Sequence, residues 1–498
     1  MILTFNYYLK NEGQIIAIPT IRPSLSIIIS LAEDTLFFTL THFRHGARAP
    51  IFPSESESDD YGMKWTNPGE LTLGGHRMHY LLGVYNRKRY IPKLLPEKFN
   101  PHDIYIISSN YNRTVQSALS QLQGLYPKDI SNKLNDIQKK YSIPELSKSN
   151  IDAMQPEIDG LGDAALPDYI NLIPVHIYSD LEMRYRLFDN PKCKAKAKEL
   201  MKPNDKNEVI VNRINKFNQE WKPYFEKFFT GDKAKEYDYE TLEVLADLFI
   251  TDISEGFEFT EFKNKTNLTD DQMEELYKYF VEFVGRTMND YQYGDTDGKL
   301  IKLDMSPLFR ELIEYIKRRI NREADIQEGK KIDYRDYSVP KFVMVSGHDS
   351  MISVMLLFLG LMDGDRQKFW HVPVYAANIA FEVYNKNENY SRDDYSQYEI
   401  RVLFNGEQIE GAVFTLKDFI DKYNKIAWNS DQMAEFCGYK ETKKEDEAKD
   451  DNNNILIYVL GGVAALFLIL CIIFIILWRS KKISSDNVEA GGLLTSTS

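Results

Sequence analysis

The chain has 498 residues, of which 43% are hydrophobic and 27% are charged, so it can bury a large core and is long enough for two or more domains. Its formal net charge of −13 argues against binding to nucleic acid or to an anionic membrane surface, because both need a basic face. A local cluster of cations would therefore have to hold any anionic ligand.

Residues 1–32 are interpreted as a signal peptide. Arg22 precedes a short apolar stretch, from Leu25 to Ala32, that ends in a small-x-small site. Two prolines interrupt the region before and after Arg22, so a disordered leader is the alternative interpretation.

An apolar run from Leu36 to Thr41 predicts a buried strand, and Arg44-His45-Gly46-Ala47-Arg48-Ala49-Pro50 follows it. Arg44 and Arg48 carry planar donor forks that fit the oxygens of a phosphate. Nearby cations disfavour imidazolium, so we expect His45 to be neutral and able to attack phosphorus. The loop is therefore predicted to hold an oxyanion.

Helical spacing of apolar residues predicts a helix from Leu73 to about Tyr90. His76 and His79 on this helix could suggest a metal pair. Because no carboxylate or cysteine falls at a matching spacing, we expect both histidines to pack or to cap instead.

A second buried strand is predicted from Asp103 to Ser109, followed by Asn110-Tyr111-Asn112-Arg113-Thr114 and a helix from Val115 to Leu125. Arg113 thus follows the carboxyl end of its strand, as Arg44 does. The carboxyl ends of parallel strands share one edge of a sheet, which is the usual ligand crevice. We therefore expect the two arginines to lie close together.

From about residue 127 to residue 335 the sequence has charged, helical segments without strand signals, which predicts an inserted helical cap. The segments span residues 207–229, 237–253, 269–289 and 306–322.

The strand pattern returns at residues 340–346, and His348 and Asp349 follow at the start of an apolar helix from Met351 to Leu361. Amides at a helix start favour an anion. Residues 375–384 and 398–404 alternate apolar and polar side chains, which predicts a hairpin of half-buried strands.

Four short motifs resemble those of the histidine acid phosphatases: R-H-G-x-R-x-P at 44–50, G-x-L-T-x-x-G at 69–75, Ser108 to Ser117, and His348-Asp349. The resemblance implies an α/β fold, a three-layer sandwich with a mostly parallel central sheet and an inserted α-helical cap. It also implies that Arg113 and His348 bind phosphate and that Asp349 donates a proton. Asn110 stands where the family has an acid.

The predicted function is an acid phosphatase that cleaves phosphate monoesters through a phosphohistidine on His45, with Asp349 as proton donor. The predicted phosphate-binding residues are Arg44, Arg48, Arg113 and His348. Arginines and imidazoles supply the positive charge, so neither a metal nor a cofactor is expected. The alternatives are a phytase-like or lipid-phosphate phosphatase of the same superfamily, and a non-catalytic ectodomain that keeps the fold.

The uncharged apolar run from Ile455 to Trp478 is long enough to cross a bilayer as a helix. The cations that follow it place residues 479–498 in the cytosol, and the main body in the lumen or outside the cell. An acidic stalk at 438–454 precedes the run, and the catalytic core is predicted at 33–126 and 336–437. Glu489, Leu493 and Leu494 have the spacing of a dileucine sorting signal, typical of a lysosomal or digestive-vacuole membrane protein; the cell surface is the alternative.

Cys193 and Cys437 could form a disulfide or remain reduced, since spacing does not decide. Asn264, Asn267 and Asn389 begin sequons in polar surroundings and are candidate glycosylation sites. The sequon at Asn112 is expected to be unused, because a glycan there would block Arg113. A homodimer is compatible with the sequence, which does not determine the oligomeric state.

Overall fold

The structure is a computed structural model. It describes residues 3–9, 15–21, 34–51, 65, 67–128, 133–177, 191–200, 208–228, 237–257, 259–289, 298–333, 339–361 and 371–438. The chain divides into two units, Met1–Gly438 and Tyr439–Ser498. The apolar stretch at 25–32, the span at 455–478 and the sorting signal lie outside the described residues. Within the described ranges, no helix is long and apolar enough to cross a membrane.

Nine strands and fifteen α-helices make up the regular structure of these ranges. The strands are β1 (Leu3–Leu9), β2 (Ile15–Ile21), β3 (Thr35–Arg44), β4 (Ile104–Ser108), β5 (His176–Ile177), β6 (Phe342–Gly347), β7 (Asn378–Asn385), β8 (Tyr398–Phe404) and β9 (Glu407–Thr415). The helices are α1 (Leu73–Tyr90), α2 (Asn112–Leu125), α3 (Asp136–Tyr141), α4 (Lys148–Ala153), α5 (Gln155–Leu161), α6 (Pro191–Leu200), α7 (Glu208–Glu220), α8 (Lys222–Phe228), α9 (Tyr239–Ser254), α10 (Thr260–Thr266), α11 (Asp270–Asn289), α12 (Lys299–Gln327), α13 (Asp349–Phe358), α14 (Leu416–Ile426) and α15 (Ser430–Cys437).

The central sheet has seven strands in the order β5-β4-β6-β3-β7-β8-β9. Strands β5, β4, β6 and β3 are parallel to one another, whereas β7, β8 and β9 pair antiparallel. Strand β8 therefore runs in the same direction as the four parallel strands. The predicted α/β class, the mostly parallel sheet and the β7–β8 hairpin are confirmed; β1 and β2 form a separate antiparallel pair.

Helices cover both faces of the sheet. On one face, Phe43 of β3 packs in a cluster with residues of α1 and α2, among them Tyr90 and Leu122. On the other face, the ring of Phe38 stacks on Tyr315 of α12 at a centroid distance of 6.3 Å. Successive side chains of a strand point to opposite faces, so β3 is buried on both sides in a three-layer arrangement.

Helices α7 to α11 share an aromatic core of their own, built around Phe225, Phe249 and Phe280. The expectation that residues 127–335 contribute no strand is wrong at one point, because β5 pairs with β4 at the sheet edge. The strand has only two residues, and both are exposed. A strand of that length carries no alternation that could be recognised in the sequence.

Two further elements differ from expectation. Helix α2 begins at Asn112, three residues before its predicted start, so Arg113 lies inside the helix. Strand β7 is buried on both faces rather than one, and Glu382 within it is fully buried. Because β7 lies between two strands of a covered sheet, its polar positions face protein instead of solvent.

Candidate active site

Two neighbouring strands bring the predicted motifs together. Strands β3 and β6 are parallel, with Arg44 opposite Gly347, and the His45 amide donates to the Gly347 carbonyl over 3.0 Å. His45 and His348 therefore follow the ends of adjacent strands. Their imidazole rings lie 5.6 Å apart, centroid to centroid, as the shared-edge argument predicts.

The third strand end joins them through Ser109, which follows β4. Its hydroxyl lies 3.0 Å from His348 Nε2 and 2.9 Å from the hydroxyl of Thr114 on α2. The ring of His348 also meets Tyr111 edge-on at 5.3 Å. The residues around Arg113 and His348 thus form one packed unit.

Close backbone packing fixes the arginine and histidine loop against α1. A Cβ on Gly46 would lie 2.5 Å from the carbonyl oxygen of Gly75, which is closer than any real contact, so only glycine fits. Thr72 caps α1 by accepting from the Gly75 amide, and its own backbone amide donates to the Ala47 carbonyl over 3.0 Å. The loop is consequently held in one conformation.

His45 is buried and has a defined tautomer. Its Nδ1 lies 2.8 Å from the Gly46 carbonyl oxygen, and because a carbonyl only accepts, Nδ1 carries the proton. Nε2 then has the free lone pair. Burial above all, and then the charges of Arg44 and Arg48, hold the pKa of His45 well below its usual value of 6.5. The ring therefore stays neutral even in acid, with Nε2 unprotonated.

Two of the three predicted arginines are paired with carboxylates. Arg44 Nη2 lies 2.9 Å from Asp349 Oδ2, and the guanidinium stacks 4.2 Å over the ring of Tyr375. Arg48 forms a two-pronged pair with Asp247, with Nη2 2.6 Å from Oδ1 and Nη1 3.3 Å from Oδ2. Both side chains are therefore fixed in orientation.

Arg113 differs from the other two, because among the described residues it has no carboxylate partner. Its guanidinium lies 4.1 Å over the ring of Tyr111, and Nη1 lies 3.5 Å from the Gly69 carbonyl. Burial, and after it the charge of Arg48, lowers the pKa of Arg113. Arg113 is thus the guanidinium whose charge is least compensated.

The Nε atoms of Arg44, Arg48 and Arg113 are all buried, and within the described part of the chain none has a hydrogen-bond partner. A buried donor without an acceptor costs roughly 1–3 kcal/mol, and native proteins contain few of them. All three arginines also act on the pKa of His45, so their charges surround one imidazole and make the site positive.

Asp349 lies at the start of α13 and accepts from the Ser350 amide over 2.8 Å. Burial would raise the pKa of its carboxyl, but Arg44, His348 and Arg48 together outweigh burial and lower it. In the free site Asp349 is therefore ionised, and a proton donor here would have to gain its proton as an anion enters.

A cavity of about 150 Å³ opens among these groups, and Arg44, Arg48 and Asp349 line it. Asp247 of α9 and Tyr375 also line it, and sequence reasoning missed both. Asp247 is one of many acids in a charged helical segment, and no local pattern marks it. The alternation at 375–384 predicts a strand that begins at Tyr375, but β7 begins at Asn378. The hydroxyl of Tyr375 lies 3.1 Å from that of Thr251.

The remaining predicted residues lie elsewhere. His76 Nδ1 contacts the Ser120 hydroxyl at 2.7 Å, and His79 is buried between helix and sheet. The described residues hold no cluster of histidine, cysteine and acidic side chains that could bind a metal ion. A disulfide joins Cys193 of α6 to Cys437 of α15. The asparagines of the three candidate sequons are exposed: Asn264, Asn267 and Asn389.

Comparison with known proteins gives a family match over most of the chain. Residues 30–405 match the model of the histidine phosphatase superfamily, branch 2. The sequence is 41% identical to human prostatic acid phosphatase over 100 residues, which is 20% of this chain and 25% of that protein. It is 34% identical to the lysosomal acid phosphatase of Xenopus laevis over 105 residues, 20% and 23% of the two chains.

Each of these alignments covers about a quarter of the relative's own length. Among solved structures, the phytase from Citrobacter braakii aligns with 13% sequence identity and a TM-score of 0.48, over 81% of this chain and 99% of that one.

Proposed function

This chain belongs to the histidine phosphatase superfamily, branch 2, and from that membership we propose that it is an acid phosphatase that hydrolyses phosphate monoesters. The observation that carries the proposal is the group of three guanidinium groups around the neutral imidazole of His45, whose buried Nε donors have no acceptor among the residues that the structure describes. Donors fixed in a water-poor site stabilise the charge that develops on a transferring phosphoryl group.

In the first step, the Nε2 lone pair of His45 attacks phosphorus. An N–P bond forms, the bond from phosphorus to the ester oxygen breaks, and that oxygen takes the proton of Asp349. The hydrogen bond from Nδ1 to the Gly46 carbonyl stabilises the ring as its charge rises. Water then attacks phosphorus and gives a proton to Asp349, the N–P bond breaks and returns its electron pair to Nε2 of His45, and inorganic phosphate leaves.

We assign the equatorial phosphoryl oxygens to Arg44, Arg48, Arg113 and His348. Arg113 attracts the anion first, because it alone among these arginines has no carboxylate partner within the described residues. As the phosphate reaches Arg44, it competes with Asp349 for the guanidinium, and its own negative charge raises the pKa of that carboxyl. Substrate binding thus supplies the protonated acid that the free site lacks.

The scheme runs without a metal, since guanidinium and imidazole groups already oppose the phosphoryl charge. Its acid preference follows from two groups: His45 stays neutral below pH 6.5 because its pKa is lowered, and Asp349 must be protonated. Activity should therefore rise as pH falls, until His45 itself gains a proton.

The superfamily alternatives differ in the leaving group, and one observation favours a second candidate, a phosphatase of lipid-like monophosphates. A cavity of about 390 Å³ shares Val372 with the cavity of about 150 Å³ that Arg44, Arg48 and Asp349 line. Its walls include Val281, Leu356 and Phe404. An apolar chain buried there would gain free energy with each methylene group, so rates that rise with alkyl chain length would favour this candidate.

We further propose the predicted organisation of the chain: an α/β core at 33–126 and 336–437, a helical cap at 127–335, and a lumenal body anchored by residues 455–478. The lysosomal acid phosphatase relative supports a lysosomal or related membrane, and the exposure of Asn264, Asn267 and Asn389 supports glycosylation. Membrane fractionation, glycosidase treatment and sedimentation of the solubilised protein test the anchor, the glycans and a homodimer.

The deciding experiment is an assay of the full chain, solubilised from membranes, with nitrophenyl phosphate near pH 5 and with a chelator present. Hydrolysis that resists the chelator, together with acid-labile labelling of the protein by phosphorus-labelled substrate, supports the proposal. A folded protein that neither turns over nor becomes labelled would be a non-catalytic ectodomain.

A further inference from the structure

Asp247, a carboxylate of helix α9, contacts the loop that follows β3. Asp247 holds Arg48 through both of its oxygens, at 2.6 and 3.3 Å, and its Oδ2 also accepts from the Ile51 amide over 2.7 Å. From this geometry, and resting on the proposed function, we propose that Asp247 is a positioning residue that holds Arg48 ready for the phosphoryl group.

The arrangement leaves Arg48 two N–H groups for a substrate, one on Nη2 and one on Nε. Its Nη1 donates to the Ala49 carbonyl at 3.0 Å and to Asp247, and its Nη2 donates to Asp247, whereas Nε is buried without a partner in the described residues. Two parallel hydrogen bonds from a planar guanidinium fix the plane of that group. Asp247 therefore fixes the direction of the Nε–H bond before any ligand arrives, so that ordering Arg48 costs little entropy on binding.

Helix α9 does not depend on Asp247 alone for its position. Its C-terminal part, together with the residue that follows it, makes three other contacts with the rest of the protein. Thr251 meets Tyr375 at 3.1 Å, Asp252 accepts from Trp65 at 2.8 Å, and Glu255 accepts from Thr72 at 2.6 Å. Loss of Asp247 leaves these contacts in place. Its removal should consequently affect Arg48 rather than the fold.

The negative charge of Asp247 and its proposed positioning role predict opposite changes in phosphate affinity when Asp247 is neutralised. Asp247 is negative and lines the cavity that receives the phosphate, so by charge alone its neutralisation would strengthen anion binding. A positioning role predicts weaker binding, because Arg48 would have to be ordered by the ligand itself. The sign of the change distinguishes the two.

The test measures the dissociation constant of inorganic phosphate by calorimetry on the full, solubilised chain. We expect Asp247→Asn and Asp247→Ala to weaken phosphate binding about tenfold or more, in protein that a thermal melt shows to be folded at the assay temperature. In an Arg48→Ala background, Asp247→Ala should have no further effect, because both changes remove the same interaction. Glu255→Gln is the matched control, since it alters a carboxylate contact of the same helix region that does not involve Arg48.

Tighter phosphate binding in Asp247→Asn, or additive effects of the two substitutions, would overturn the inference. So would a wild-type chain that binds no phosphate. Phosphate binding needs no turnover, so a wild-type chain that binds phosphate and shows the coupling, yet hydrolyses no nitrophenyl phosphate, would refute the proposed function and leave the positioning role intact.

Discussion

Arginines lie at both ends of strand β3, and they are used in opposite ways. At the carboxyl end, Arg44 and the nearby Arg48 and Arg113 have buried Nε donors for which the described part of the chain offers no acceptor. At the other end, where Thr35 and Leu36 of β3 line a second cavity, both Nε and Nη2 of Arg89 donate to Glu382. The hydroxyls of Tyr90 and Tyr384 complete that carboxylate, at 2.9 and 2.7 Å.

The difference shows that arginine can serve either to stabilise the fold or to bind an anion. A fully buried carboxylate is stable only when its partners satisfy it, and the group around Glu382 does so with a guanidinium and two phenols. The site around His45 leaves donors unsatisfied, which costs stability and provides affinity for an anion. Substitutions in the group around Glu382 should therefore change stability, and substitutions in the site around His45 should change catalysis.

His45→Ala should have the largest effect, a loss of about 10⁴-fold in kcat, because it removes the Nε2 atom that is proposed to form the bond to phosphorus. The melting temperature should stay within a few degrees of wild type. Initial rates with nitrophenyl phosphate, labelling with phosphorus-labelled substrate and thermal melts measure these quantities.

His76→Ala serves as the control, since it removes an imidazole from α1 that contacts Ser120 outside the site. Labelling of His45→Ala at the wild-type level would show that another residue is the nucleophile.

Glu382→Ala should produce the complementary result, a loss of about 3–5 kcal/mol in the free energy of unfolding with kcat unchanged. It leaves Arg89 and two tyrosine hydroxyls without their common acceptor. Urea denaturation followed by tryptophan fluorescence measures the change.

Glu399→Ala on the neighbouring strand β8 is the matched control, because Glu399 also pairs with cations, Lys386 and Arg401, but is less deeply buried than Glu382. We expect it to cost less than about 1 kcal/mol. Equal losses in the free energy of unfolding for the two variants would mean that full burial of Glu382 does not increase its contribution to stability.

The two clusters also differ in how far the sequence predicts them. The residues around His45 each follow a strand end, so a local pattern and the rule that parallel strands share an edge suffice to bring them together. Glu382 was expected on a half-exposed face, because alternation alone does not tell which strands are covered on both sides. Its partner Arg89 lies 293 residues away on α1, and Asp247 lies 199 residues away from Arg48. Such pairs follow from tertiary packing, which no single segment encodes.

Asp349→Asn should lower kcat about 10²-fold for alkyl phosphates and much less for nitrophenyl phosphate, whose leaving group needs little protonation. The alkaline limb of the kcat profile should move or disappear, since that limb reports loss of the proton from Asp349. A profile measured for both substrates between about pH 4 and pH 8 tests this. If kcat fell equally for both substrates and the alkaline limb remained, Asp349 would serve to hold Arg44 in position rather than to donate a proton.

Arg113→Gln should have the smallest effect and is the sharpest probe of the site's charge. We expect KM for nitrophenyl phosphate to rise about tenfold, because Arg113 is the arginine without a carboxylate partner among the described residues. Arg113 is also the weakest of the causes that lower the pKa of His45. Its loss should raise that pKa slightly, so the acid limb of kcat/KM should move to higher pH by less than about one unit.

The direction of that shift follows from the sign of the charge. A cation near His45 disfavours imidazolium, so removing it lets the ring gain its proton at a higher pH, and the fraction of reactive, neutral His45 falls earlier as the solution is acidified. Arg77→Gln, which removes an exposed arginine from α1, should leave both KM and the limb unchanged. If Arg113→Gln raised KM without moving the limb, Arg113 would bind the leaving group rather than the phosphoryl oxygens beside His45.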